Sequence, residues 1–207
     1  MTIVGVVGPS GSGKTSLVER LIPQLVERGL RVGYLKHAHK GFSHDVPGKD
    51  SWRARTAGAQ VVVLSGGDRY VIDAPDHVDP QALAALVTGC DLVLAEGFSA
   101  SPWPKILVVH PDLPARDDVA PPVFVKVATD QRCRADDDDV VRLVDELERL
   151  VVEAPKQSIS LVVDGEWVPL EGFPGAIATS TILGLLSALK GVESDSEEMV
   201  ITIRRSS

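Results

Sequence analysis

Residues 2–29 read "TIVGVVGPSGSGKTSLVERLIPQLVERG", a β-branched run followed by a glycine-rich turn and a helical pattern. The β-branched run predicts a strand that is buried on both faces of a sheet. Residues Lys14 to Arg28 carry leucines at helical spacing, and Gly29 predicts the end of that helix. A strand, a turn and a helix in this order indicate the first unit of an α/β sheet.

The glycine-rich turn matches the phosphate-loop pattern G-x-x-x-x-G-K-[ST]. Its glycines let the backbone curl so that N–H groups face phosphate oxygens, and the following helix adds its positive end. Lys14 is expected to reach the β- and γ-phosphates, and the Thr15 hydroxyl to coordinate Mg²⁺. The sequence thus predicts nucleoside triphosphate binding. The predicted phosphate-binding residues are Gly8, Ser10, Gly11, Ser12, Gly13, Lys14, Thr15 and Ser16.

Further strand and helix patterns alternate along the chain. The strand candidates are residues 30–36, 60–65, 69–73, 91–96, 105–110 and 123–128, and helical segments lie near 51–58, 80–89 and 138–152. This alternation indicates an α/β fold, a mainly parallel P-loop NTPase sheet flanked by helices. The acidic run Asp136–Asp139 precedes the last of these helices, where it complements the helix dipole. We therefore assign residues 1–153 to a nucleotide-binding domain.

Residues 154–207 predict a small C-terminal α+β extension in ββαβ order. Asp164-Gly165 is a strong hairpin signal between two short strands. Apolar residues at helical spacing between 182 and 189 predict a helix that ends at Gly191, and residues 198–205 predict a last strand. A unit this small holds little core of its own, so we expect it to pack on the main domain or on another subunit.

A second acidic ligand is expected near the phosphate loop. The apolar segment 91–96 ends in Glu96-Gly97, and the carboxyl ends of parallel strands lie beside the loop. Glu96 is therefore a candidate to hold Mg²⁺, directly or through water. Gly97 is a candidate to donate its N–H to the γ-phosphate.

Positive charge is concentrated in residues 36–59, where five basic residues stand against two acidic ones in a chain of net charge −8. This segment follows the second strand candidate and so lies at the phosphate-binding edge. Asp50 is a candidate for a metal contact or for orienting the attacking water. Lys49 and Arg53 are candidates for phosphate contacts, Arg53 as a bidentate donor.

Composition excludes several classes of protein. An acidic chain of 207 residues has no general attraction to nucleic acid or to anionic lipid. Cys90 and Cys133 stand far apart and outside any CxxC pair, so neither a zinc site nor a disulfide framework is predicted. Without a basic leader or an apolar run long enough to span a bilayer, the sequence predicts a cytoplasmic protein.

Several motifs together resemble the MobB family, molybdopterin-guanine dinucleotide biosynthesis protein B. They are the phosphate loop, "KHAHKGFSHDVPGKDSWRARTAGA" at 36–59, "DLVLAEGF" at 91–98 and "PKI" at 104–106, and the resemblance covers residues 2 to about 130. It implies a GTP-binding protein with slow, Mg²⁺-dependent GTPase activity. It also implies a homodimer that assists the guanylyltransferase joining GMP to molybdopterin, with molybdopterin as a further ligand and molybdopterin-carrying proteins as further partners.

The resemblance carries over to individual positions. Residues 11–16 match the family's phosphate-binding turn, Asp50 its switch-like segment, and Glu96-Gly97 the end of its Walker-B strand. Many guanine-specific relatives use an Asn/Thr-Lys-x-Asp signature, and the nearest candidate here is Thr129-Asp130, which follows a strand and has no lysine between its two residues. We find no obvious arginine finger and no paired general base, which fits slow hydrolysis.

Two other functions remain open from the sequence. A phosphate loop serves an ATP-dependent small-molecule kinase equally well, with Arg53 and Arg55 as lid arginines. A metallochaperone GTPase would use the histidines at 37, 39 and 44, although such a site normally needs a denser cluster of ligands.

Overall fold

The computed structural model describes residues 1–38, 46–67, 69–73, 80–87, 89–154, 161–163, 166–168 and 173–187. The strands are β1 (Thr2–Val7), β2 (Val32–Lys36), β3 (Val62–Gly66), β4 (Arg69–Asp73), β5 (Leu92–Glu96), β6 (Lys105–Val109), β7 (Val123–Ala128), β8 (Leu161–Val163) and β9 (Glu166–Val168). The helices are α1 (Lys14–Glu27), α2 (Asp50–Thr56), α3 (Pro80–Ala85), α4 (Asp137–Glu153) and α5 (Phe173–Ser187).

Five strands form one parallel sheet in the order β2-β5-β1-β6-β7. The predicted mainly parallel α/β sheet is therefore confirmed. Because the strands are parallel, their carboxyl ends meet at one edge, and the glycine-rich turn after β1 lies in the middle of that edge. Position 96 at the end of β5 is paired with Val6 of β1 on one side and with Lys36 of β2 on the other.

Helices α1 and α4 cover one face of the sheet. In α1 the buried residues recur at helical spacing as Leu17, Leu21 and Leu25, and α4 packs beside it in the same apolar core. Asp136 caps α4 by accepting a hydrogen bond from the N–H of Asp138 at 2.8 Å. The acidic run thus begins the helix, as the sequence predicted.

The opposite face carries a smaller core, which consists of Ala84, Ala95, Phe98 and Trp103. The side chain of Lys105 is completely buried there. Its ammonium group donates to the carbonyl oxygens of Trp103, at 2.9 Å, and Ser101. Lys105 therefore holds the turn that follows Glu96 against the sheet.

Two antiparallel hairpins stand outside the main sheet. β3 and β4 pair with each other from Val62–Asp73 to Gly66–Arg69, and β8 pairs with β9, whereas the predicted Asp164-Gly165 turn between them lies outside the described residues. The predicted helix of the extension is present as α5 but begins earlier, at Phe173. The predicted last strand at 198–205 lies outside the described residues. No helix in the described ranges combines the length and the apolar character that a membrane crossing requires.

Candidate nucleotide-binding site

The glycine-rich turn is tightly enclosed by its neighbours. A Cβ on Gly8 would lie 2.3 Å from the carbonyl oxygen of Val108, and one on Gly13 would lie 2.2 Å from that of Cys133. Both glycines have positive φ angles, 152° and 91°. A side chain at either position would push the turn off the strand or loop beneath it. At Gly11, by contrast, a Cβ would meet no atom of the described residues within 4 Å apart from its chain neighbours, so this side of the turn is open to a ligand.

Lys14 bends back over its own turn. Its ammonium group donates to the carbonyl oxygens of Pro9 at 2.6 Å and Gly8 at 3.1 Å, and the residue is half-buried. Burial lowers the pKa of Lys14, while the charge of Glu96 acts in the opposite direction. Within the described ranges this ammonium group donates to carbonyl oxygens alone, and it is placed to exchange them for an anion.

Glu96 is the centre of a cluster of hydrogen-bond donors. The Thr15 hydroxyl lies 3.0 Å from each of its carboxylate oxygens, the Tyr34 hydroxyl donates at 2.7 Å, and the Lys36 ammonium lies 3.3 Å away. Only 8% of the Glu96 side chain is exposed. The predicted pair of Thr15 and Glu96 is thus brought together at the mouth of the phosphate loop.

The Thr15–Glu96 pair fits Mg²⁺. A hydroxyl and a carboxylate are hard oxygen ligands, and Mg²⁺ usually takes one or two such ligands together with water and substrate phosphates. Among the described residues, no group of three or more His, Cys, Asp or Glu could hold a metal by itself. Phosphate oxygens would therefore complete the coordination. His39 and His44, on which a metallochaperone site would depend, lie outside the described residues.

Tyr34 and Lys36 were not identified as site residues from the sequence. They lie two positions apart on β2 and so point to the same side of the strand. Burial, together with the hydrogen bond to Glu96, raises the pKa of Tyr34 above its ordinary value. The pairing of β2 with β5 places both next to Glu96, and this register could not be read from the sequence.

The predicted contacts from α2 are not formed in this structure. Lys49 and Asp50 begin the helix and Arg53 follows within its first turns, and all three are exposed. Among the described residues, no hydrogen bond or ion pair joins them to the phosphate loop. Arg55 pairs with Asp73 of the β3–β4 hairpin. Of the described basic residues in 36–59, only Lys36 lies at the site.

Thr129 is buried and supports the phosphate loop from below. Its hydroxyl lies 2.9 Å from the carbonyl oxygen of Ser12 and 3.1 Å from that of Val109, and its N–H also donates to Val109. The thiol of Cys133 contacts the carbonyl oxygen of Gly11 at 2.9 Å. The loop after β7 is thus packed directly against the phosphate loop.

Asp130, the predicted reader of the base, is exposed on that loop. Its Oδ1 accepts hydrogen bonds from the N–H groups of Arg132 and Arg134, both at 2.9 Å. These bonds, the one from Arg134 first, lower the pKa of Asp130. Its second oxygen has no hydrogen-bond partner among the described residues and is available to a ligand.

The N–H of Gly97 donates to the carbonyl oxygen of Val6 at 3.1 Å. Gly97 has a φ of 95°, and a Cβ there would lie 3.1 Å from the carbonyl oxygen of His37. A γ-phosphate contact from this N–H would require that sheet bond to be exchanged.

An arginine from a distant loop approaches the same edge. Arg116 lies between β6 and β7 and forms a two-point ion pair with Asp118. Its Nη2 also lies 3.4 Å from the hydroxyl of Ser99, three residues after Glu96. The charge of Arg116 contributes to the lowered pKa of Lys14. Nothing in its sequence surroundings pointed to a role at the site.

Comparison with known proteins agrees with these features. The sequence model of the MobB family, described as "Molybdopterin guanine dinucleotide synthesis protein B", matches residues 3–130. The "Molybdopterin-guanine dinucleotide biosynthesis adapter protein" of Haemophilus influenzae is 46% identical over 110 residues, 51% of this chain and 62% of its own length. The Escherichia coli protein of the same name is 40% identical over 105 residues, 48% of this chain and 60% of its own length. The chain thus matches about three fifths of the length of these relatives.

A solved structure extends the likeness to the fold. The crystal structure of Bacillus subtilis MobB superposes with a TM-score of 0.54 at 27% sequence identity, covering 71% of this chain and 98% of that one. The family sequence model covers more than half of the present chain, including the phosphate loop, Glu96 and Asp130. The chain therefore belongs to the MobB family.

Proposed function

We propose that this protein binds GTP with Mg²⁺ and acts as an adapter in the biosynthesis of the molybdenum cofactor's guanine dinucleotide form, hydrolysing GTP slowly. The observation that carries the proposal is the convergence of Lys14, Thr15 and Glu96 at the open side of the phosphate loop. The adapter role rests on the names of the relatives, two of which are described as adapter proteins of this biosynthesis.

The phosphates would be held by the backbone N–H groups of residues 11–16 and by Lys14, which would leave the carbonyl oxygens of its own turn. Thr15 and Glu96 would hold Mg²⁺, which supplies charge neutralisation of the β- and γ-phosphates when bound. Lys36 then offers a second cation beside the terminal phosphate. Asp50 remains the proposed residue for orienting water, after α2 has moved towards the loop.

Guanine preference is proposed to come from Asp130. A carboxylate oxygen accepts hydrogen bonds from the N1 and N2 groups of guanine, whereas adenine presents no such pair of donors on that edge. Two backbone N–H groups hold Oδ1 of Asp130, and Oδ2 accepts no hydrogen bond from the described residues, which supports this assignment. Thr129 is proposed to support the phosphate loop through its hydrogen bond to Ser12 and not to contact the base.

The exposed α2 helix is proposed to face the partners. Lys49 and Arg53 expose positive charge and form no ion pair with an acidic residue in the described ranges. Such a surface can bind the phosphate of molybdopterin or an acidic surface of the guanylyltransferase. Molybdopterin-carrying proteins would be further partners on the same side.

A homodimer is supported by the β3–β4 hairpin. Six apolar residues of the hairpin and its entry are between 43% and 67% exposed: Val61, Val63, Leu64, Tyr70, Val71 and Ile72. An isolated two-stranded hairpin is marginal in water, and exposed apolar strand surfaces tend to be covered by a partner. A second copy of the same hairpin would cover this surface symmetrically.

Calorimetric titration with GTP and with ATP, each with Mg²⁺, tests the proposal. We expect GTP to bind more tightly than ATP, and Lys14→Ala to abolish binding of both while thermal unfolding stays unchanged. Equal or tighter ATP binding would contradict the guanine assignment and favour the small-molecule kinase. Unchanged GTP affinity in Lys14→Ala would contradict the phosphate-loop assignment.

A further inference from the structure

We infer that Arg116 binds the γ-phosphate of the nucleoside triphosphate. On nucleotide binding, its guanidinium group exchanges the ion pair with Asp118 for the phosphate. This inference rests on the proposed function, because it requires a triphosphate in the loop. It adds to the proposed site a residue that lies neither in the phosphate loop, nor at the end of β5, nor on α2.

The first argument is position. The segment that carries Arg116 is attached to the turn after Glu96 at two points: Arg116 Nη2 lies 3.4 Å from the Ser99 hydroxyl, and the N–H of Ala120 donates to the Ser99 carbonyl oxygen at 2.9 Å. Ser99 lies in the turn that follows β5, which is on the β5 side of the phosphate loop. The Asp130 loop follows β7 at the opposite edge of the sheet. Arg116 therefore stands on the metal and γ-phosphate side, away from the proposed base site.

The second argument is charge. Lys14, Lys36 and Arg116 converge on one edge, and Glu96 is the one well-buried carboxylate that the described residues place among them. Lys36 Nζ lies 3.4 Å from the hydroxyl of Thr15, the residue after Lys14, and Arg116 lies beside Ser99, three residues after Glu96. Bringing like charges together is unfavourable unless an anion joins them. A triphosphate supplies that anion.

The third argument is that the present partner of Arg116 is exchangeable. Asp118 is 64% exposed and only two residues away, whereas the Arg116 side chain is 27% exposed. An exposed ion pair contributes little to stability. A phosphate offers the guanidinium the same two-point geometry with more negative charge, so the arginine would exchange one anion for the other.

The experiment compares GDP with a non-hydrolysable GTP analogue, each with Mg²⁺, by calorimetry on the full chain. For Arg116→Ala we expect at least about a tenfold loss of analogue affinity and less than a twofold change for GDP. Single-turnover GTP hydrolysis should fall further, by a factor on the order of 10³–10⁵. Arg116→Lys should recover part of the analogue affinity, because lysine keeps the positive charge but cannot donate the two parallel hydrogen bonds of a guanidinium group.

Two further variants are controls. Arg142 on α4 is also an exposed arginine that pairs with a nearby aspartate, Asp139. Arg142→Ala should therefore change neither the affinity for the analogue nor that for GDP. Asp118→Asn frees Arg116 and should leave GDP binding unchanged while analogue affinity holds or rises. Thermal unfolding of Arg116→Ala and Arg116→Lys checks that both variants are folded.

The outcomes separate the inference from the function on which it rests. If the wild-type chain binds the analogue and GDP, and Arg116→Ala weakens both equally or neither, Arg116 does not contact the γ-phosphate. If the wild-type chain binds neither nucleotide, the proposed function is wrong and the inference is wrong with it.

Discussion

The buried hydroxyl of Thr129 allows the support of the phosphate loop to be tested separately from nucleotide contact. Thr129→Val keeps the shape of the side chain and removes the donor. The carbonyl oxygen of Val109 would keep its bond from the Thr129 N–H at 2.9 Å, whereas that of Ser12 would lose the hydroxyl donor. One buried acceptor left unpaired costs about 1–3 kcal/mol. We therefore expect the free energy of unfolding to fall by about that amount without any nucleotide present.

Urea unfolding of the nucleotide-free chain measures this loss, and Thr129→Ser is the matched control because it keeps the hydroxyl. The Ser12 carbonyl belongs to the phosphate loop, so part of the cost should also appear as weaker GTP binding, up to about tenfold for 1.4 kcal/mol. If Thr129→Val loses GTP affinity with unchanged stability, Thr129 contacts the nucleotide directly. That result would refute the supporting role.

Three shorter predictions follow from other contacts. Glu96→Gln should weaken GTP binding in Mg²⁺ but not in EDTA, and equal loss in both would contradict a metal role. Val63→Glu on the β3–β4 hairpin should shift the mass measured by light scattering from dimer to monomer, whereas Val141→Glu, exposed to a similar degree on α4, should not. Burial lowers the pKa of Lys105 in the folded chain. The unfolded chain then binds more protons, so stability should rise as pH approaches the ordinary lysine value of 10.5; in Lys105→Met that rise should be smaller.

Much of the fold could be predicted because its signals are local. The strand candidates agree with the seven observed strands of the first 128 residues to within about two positions, since β-branched runs bounded by turns identify buried strands. The phosphate loop was predictable for the same reason, because its eight residues form the turn themselves. The separation of β3 and β4 from the parallel sheet was not predicted, because strand pairing depends on partners far away in the sequence.

The candidate site was predicted only where a local sequence pattern identifies its residues. Glu96 was found because it closes an apolar strand, and Thr15 because it lies in the motif. Tyr34 was missed because its contact with Glu96 depends on the pairing of β2 with β5. Arg116 was missed because it lies in an irregular loop, whose approach to Ser99 is determined by tertiary packing alone.

The distribution of charge explains why a local count of basic residues was a poor guide. Residues 36–59 hold the highest concentration of positive charge, yet Arg55 pairs with the hairpin, while Lys49 and Arg53 lie on the exposed surface of α2. The cations on the Glu96 side of the sheet edge come from three different strands: Lys36 ends β2, Lys14 lies in the turn and helix after β1, and Arg116 lies in the loop after β6. In a parallel sheet these ends share one edge, so the proposed anion site would be assembled from single charges that are far apart in the sequence. A cluster on one exposed helix is better suited to meeting a partner, and this difference supports the proposal that the nucleotide binds at the sheet edge and the partners bind at α2.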